Sequence, residues 1–119
     1  MLKKLVFLLT VFMVFMVFNA KANHSCSGKV KDIQINKHGV LYSTFSGLAS
    51  SAKLCDLSPA EGANDAEFCK ALYSSLLVAK ASDNTVTLWF NIDTNPSCSK
   101  GSWVDLYKDH GLYHFRLGS

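Results

Sequence analysis

Four cysteines, Cys26, Cys55, Cys69 and Cys98, constrain this chain more than any other feature. An even cysteine count in a short exported chain reads as two disulfides. Structural zinc would need close pairs of the C-x2-C kind. The nearest two here, Cys55 and Cys69, are 14 residues apart, so no metal is expected. Three pairings are open to four cysteines. Cys55–Cys69 with Cys26–Cys98 is favoured, because the first closes a short loop into a helix and the second ties the start of the fold to the segment before its last strand. On the chain-entropy account each bridge contributes roughly 3 to 4.5 kcal/mol. A chain this short builds a modest core, so such cross-links matter.

The export assignment comes from the N-terminus. Lys3 and Lys4 precede an apolar run over 5–18, and Ala20-Lys21-Ala22 offers small residues where a signal peptidase reads. Residues 1–22 are therefore expected to be a cleaved signal peptide, cut after Ala22 or after Ala20. Residues 23–119 then form one domain in an oxidising compartment. The run is short of the about 20 residues of a membrane span, so no membrane association is expected after cleavage; a retained anchor is the rival reading. Cys26 follows Asn23-His24-Ser25, which does not suit a lipid-modified cysteine. Losing Lys3, Lys4 and Lys21 reduces the twelve basic residues to nine, against nine acidic ones. With no basic stripe left, no nucleic-acid partner is expected.

The mature segment alternates strand and turn signals. Over 28–36, Ile33 and Ile35 keep a two-residue period that Val30 breaks, and one extra residue near Lys31-Asp32, a β-bulge, repairs it. Asn36-Lys37-His38-Gly39 is a hairpin turn. A second strand is expected over 40–46, a loop or edge over 47–51, and a third strand over 52–57. Ser58-Pro59-Ala60-Glu61 is a turn with helix-start chemistry, and Asn64-Asp65-Ala66-Glu67 starts the main helix, expected over 65–81. Phe68, Leu72, Leu76 and Ala79 share one face, with Cys69 beside them. Tyr73 and Leu77 widen that face, as core or as a subunit contact. In the strand over 85–92, Val86, Leu88, Phe90 and Ile92 oppose Thr85, Thr87, Trp89 and Asn91. Pro96 and Cys98 lie in a polar loop over 93–101. Residues 102–107 read as a helical turn or short strand, and Asp109-His110-Gly111 as a turn. The last strand, 112–117, is expected to face inward through Tyr113, Phe115 and Leu117. The order β-β-β-α-β-β describes a mainly β fold with one helix. It predicts a five-stranded OB-fold-like barrel, with an α+β sheet and packed helix as the alternative.

The stretches Leu54-Cys55, Phe68-Cys69-Lys70-Ala71-Leu72-Tyr73-Ser74-Ser75-Leu76-Leu77-Val78-Ala79-Lys80, Val86-Thr87-Leu88-Trp89-Phe90, and Cys98 followed by Trp103 resemble small exported proteins of Gram-negative bacteria. In layout alone the chain also resembles the B subunits of AB5 toxins. The resemblance implies an OB-like fold and a periplasmic or secreted location. The toxin analogy implies ring oligomers and carbohydrate binding, but no glycan-site residue maps here.

No catalytic set is expected, because no nucleophile, base and stabiliser converge in the sequence. His24 lies near the new N-terminus and His38 in a turn. His110 and His114 would be roughly 13 Å apart along a strand. Gly47-Leu48-Ala49-Ser50 is not a nucleophile elbow, and no phosphate loop appears. Asp93-Thr94-Asn95 begins like a calcium loop that Pro96 and Cys98 interrupt. The chain thus reads as a non-enzyme without cofactor. The candidate binding residues are Trp89, Trp103 and Tyr107. Trp89 is either exposed, where it can stack on a sugar or anchor a partner, or packed under the 93–101 loop or against Trp103. Trp103 and Tyr107 either join the site or cover the Cys98 disulfide. The expected function is an exported, non-catalytic binding module for a glycan or envelope protein. A subunit of a homo-oligomeric ring is the alternative, followed by a small hydrolase or enzyme inhibitor.

Overall fold

One long strand serves two halves of the sheet. β1 (His24–Ile35) spans 12 residues. Its first half pairs antiparallel with a later strand, Thr85–Phe90, from His24 opposite Phe90 to Lys29 opposite Thr85. Its second half pairs with β2 (Val40–Phe45), from Val30 opposite Phe45 to Ile35 opposite Leu41. The register slips between Val30 and Asp32, leaving Lys31 as the extra residue. The bulge lets Cys26, Gly28 and Val30, and then Ile33, turn to the core. Gly28 sits where the strands cross closely. A Cβ there would come within 2.8 Å of the Ser46 carbonyl oxygen and 3.2 Å of the Phe45 Cβ.

The computed structural model describes residues 2–7, 23–58, 65–92 and 96–118, and residues 2–7 are helical. The expected cleavage after Ala20 or Ala22, the turn residues 59–62 and Asp93-Thr94-Asn95 lie outside the described residues. Among the described residues no helix is long and apolar enough to cross a membrane.

β3 (Ala49–Asp56) begins three residues before the expected strand, because Ala49 already pairs opposite Phe45. Small residues at 49–51 hid this start. Helix α1 (Asp65–Ser82) follows, then β4 (Thr85–Phe90), β5 (Gly101–Ser102) and β6 (Leu112–Leu117). The sheet order is β5-β3-β2-β1-β4-β6. All pairs are antiparallel except β3 with β5.

The expected closed five-stranded barrel is corrected to an open, mixed six-stranded sheet. The reason lies after residue 100, where one terminal segment divides its pairing between the two edges. β5 makes a two-residue ladder with β3, extended by an isolated bridge between Lys53 and Asp105. A turn over 106–110 then carries the chain to the other edge, where β6 pairs with β4. Leu106 is fully buried, and its carbonyl accepts the Leu112 N–H at 2.9 Å. A plugging turn thus stands where a closing ladder would have run.

Helix α1 covers the inner face. Cys69, Leu72, Leu76 and Ala79 are fully buried at helical spacing. Burying each leucine contributes about 1.5–3 kcal/mol. Phe68 meets Phe115 of β6 edge-on at 5.4 Å. Tyr73 packs on the core, whereas Leu77 and Val78 stay exposed. The helix ends in a Schellman arrangement. Asn84 N donates to Ala79 O at 2.9 Å, Asp83 N donates to Lys80 O at 3.5 Å, and Asp83 takes a left-handed φ of 56°. Cys55 is bonded to Cys69, joining β3 to α1, and Cys26 is bonded to Cys98.

A further bulge rearranges the pairing at the end of β4. Trp89 pairs with His114, but Phe90 pairs with Leu112. Tyr113 is therefore the extra residue and turns outward, while Leu112 takes the inner position. The expected inward Tyr113 is corrected for this reason. Ile92, expected on the inner face, lies past the strand end and is exposed. Leu117 keeps its register opposite Val86 but stays exposed on an edge strand.

Candidate binding face

The outer face of β1, β2 and β3 is polar, because the inward set Leu41, Ser43 and Phe45 leaves Tyr42 and Thr44 facing away. Gln34 of β1 lies opposite Tyr42, and Lys53 of β3 lies opposite it on the other side. Asp32 accepts from the Thr44 N–H at 3.0 Å and from its hydroxyl at 3.1 Å. The same hydroxyl accepts the Ser51 N–H at 2.9 Å. Gln34 Nε2 donates to Ser51 Oγ at 3.1 Å. Ser51 is held at a left-handed φ of 48° within this network. These bonds fix the row in place.

Trp103 stands at the edge of this face. It is 70% exposed, the largest exposure of any large apolar side chain described after residue 7. Its backbone nevertheless has little freedom. Its N–H donates to Ser50 O at 2.9 Å, and Val104 O accepts from Lys53 N at 2.8 Å. Those bonds hold Trp103 at a φ of 57°, which costs a non-glycine residue about 1–2 kcal/mol. The Tyr42 ring meets the indole edge-on at 5.9 Å and 67°. Alongside, Asp105 Oδ1 accepts the N–H groups of Tyr107 and Lys108, and its Oδ2 lies 3.8 Å from Lys53 Nζ. At the β3–β5 seam a cleft of about 230 Å³ is floored by Phe45, Leu48 and Ala49 and rimmed by Ser50, Ser99 and Ser102.

The three candidate aromatics do not converge. Trp89 is half-buried on the outer face of β4. Its ring neighbours are His114 at 4.9 Å and the Arg116 guanidinium at 5.2 Å, both on β6, so it belongs to a different part of the sheet from Trp103. Tyr107 lines a separate groove of about 360 Å³ with Asn91, Ile92, Lys108 and Tyr113. Of the three, Trp103 is the most exposed, and its backbone is bonded into the sheet. Its neighbour Tyr42 and the row of Asp32, Gln34 and Thr44 escaped notice in the sequence. The strict alternation of β2 was the signal that could have found Tyr42. Asp32 and Gln34 follow a bulge and could be placed on that face only from the pairing.

His24 lies beside the Phe90 ring at 5.4 Å. His110 lies beside Phe90 at 6.3 Å and His114 beside Trp89, on the other face of β4. Among the described residues no three His, Cys, Asp or Glu side chains group as metal ligands. The chain matches no protein-family model and no curated protein.

Proposed function

We propose that the protein is a non-catalytic carbohydrate-binding module acting outside the cytoplasm, with Trp103 as its stacking platform. The observation that carries this reading is an indole left in solvent while its backbone is clamped into the sheet at a strained φ. An apolar ring face beside a pre-bonded row of amide, hydroxyl and carboxylate groups matches the two faces of a sugar, one of C–H groups and one of hydroxyls. The two disulfides support an oxidising, extracytoplasmic setting. An open, OB-like arrangement belongs to the same reading, supported by the β1 strand shared between two halves, the parallel β3–β5 contact and the helix between the third and fourth strands.

A glycan array followed by tryptophan-fluorescence titration tests it. Trp103→Ala is expected to weaken the best glycan by at least about tenfold, and Trp103→Phe to retain part of the affinity. The absence of any glycan hit, or affinity unchanged in Trp103→Ala, refutes the reading. A homo-oligomer is the second reading. The exposed Tyr113 and Leu117 on edge strand β6 favour it. Light scattering that finds only monomer at high concentration refutes that alternative.

A further inference from the structure

The chain contains a single arginine among its twelve basic residues, and the fold gives it an unusual position. Arg116 lies on β6 opposite Thr87, diagonal to Trp89. Its guanidinium sits 5.2 Å from the centre of the Trp89 ring. His114, two residues earlier on the same strand, meets that indole edge-on at 4.9 Å and 72°. Between them Phe115 points the other way, against Phe68 of the helix. His114 and Arg116 therefore face solvent, and both are exposed. Ser25 lies across from Trp89 on β1 and completes the row.

Arg116 has no carboxylate partner among the described residues, where the ion pairs are Lys29–Asp83, Lys53–Asp105 and Lys70–Glu67. The hydroxyl of Thr87, opposite it in register, is committed to Gly118 O at 2.8 Å and to Ser27 Oγ at 2.7 Å. An arginine resting on an aromatic ring keeps its planar fork of N–H donors oriented and available. Such a fork fits the two oxygens of a carboxylate or sulfate, whereas a lysine would present only a point charge.

We infer that the outer face of β4 and β6 is a second binding site, built by Trp89, His114 and Arg116 for the oxyanion of an acidic saccharide. Arg116 takes the oxyanion bidentately, His114 and Ser25 line its approach, and Trp89 holds the guanidinium in plane. This site is distinct from the Trp103 face and stands on separate residues.

Calorimetric titration of the mature protein with methyl glucuronide, glucose 6-sulfate and neutral methyl glucoside tests it. The glucuronide and the sulfate separate a carboxylate ligand from a sulfate ester. At least one acidic sugar is expected to bind about tenfold or more tightly than the neutral one. Arg116→Gln is expected to erase that preference, and Arg116→Lys to keep only a fraction of it. Trp103→Ala is expected to weaken whatever binds the Trp103 face and to leave the Arg116-dependent binding of the acidic sugar in place, so a failure of the neutral-glycan reading would be seen separately. Equal binding of acidic and neutral sugars, or a preference that survives Arg116→Gln, overturns the inference. A thermal midpoint of Arg116→Gln more than about 4 °C below wild type, with the preference restored on cooling, would equally overturn it by showing a structural role.

Discussion

Removing each disulfide separately measures what the two bridges do. Cys26–Cys98 closes a sequence separation of 72 residues and Cys55–Cys69 one of 14. On the chain-entropy account the long loop contributes about 4.4 kcal/mol and the short one about 3 kcal/mol. The short loop is nested inside the long one, so the intact bridge at Cys55 shortens the outer loop slightly, which lowers the first figure by only a few tenths of a kcal/mol. Burial acts in the opposite sense. Cys55 and Cys69 are both buried, whereas Cys98 is only half-buried. Each buried sulfur exchanged for alanine leaves a small cavity worth about 1 kcal/mol. Cys26→Ala with Cys98→Ala and Cys55→Ala with Cys69→Ala are thus both expected to cost about 5 kcal/mol, for different reasons. Urea unfolding separates the causes, because only loop release expands the unfolded chain. The denaturant slope should rise more for the Cys26/Cys98 pair than for the Cys55/Cys69 pair. Equal slopes, or a loss below about 1 kcal/mol for either pair, would refute this reasoning.

Gly111→Ala is expected to destabilise the fold by about 3 kcal/mol or more, read from the thermal midpoint. The residue has a φ of 73°, and a Cβ there would lie 2.6 Å from Ile92 Cγ1 and 2.8 Å from its nitrogen. Leu76→Ala, at a fully buried position of α1, should cost about 3 kcal/mol in urea unfolding. The Lys29 ammonium, hydrogen-bonded at 2.9 Å and attractive by charge, holds the Asp83 carboxyl below its ordinary value. A carboxyl lowered on folding contributes stability above its unfolded pKa, and that contribution is lost as the pH falls through the folded one. Wild type should therefore exceed Asp83→Asn in urea midpoint at pH 6, and the difference should shrink as the pH falls below the ordinary carboxylate range. Asparagine also accepts the left-handed backbone at that site, so the comparison isolates the charge.

Local chemistry already determines much of this molecule. The phase break between Val30 and Ile33 specifies a bulge, since apolar side chains cannot reach one face of a strand across an odd spacing without an extra residue. The spacing of Leu72, Leu76 and Ala79 specifies which helix face is buried. Which edge the last segment joins is a different matter. β5 and β6 together hold few residues, and nothing in 101–117 states that the chain will pair at both ends of an open sheet instead of closing it. That choice depends on Leu106 filling the gap, a contact between distant parts of the chain. The fates of the aromatics follow the same division. Strand periodicity sets Trp89 on the outer face and Tyr113 on the inner one, yet a bulge opposite Phe90 expels Tyr113. Trp103 is exposed because Ser50 and Lys53 of β3 clamp the backbone on either side of it. Periodicity reports the faces of single elements. Partners, edges and strained backbone arise only when elements meet, because they are set by hydrogen bonds between residues far apart in sequence.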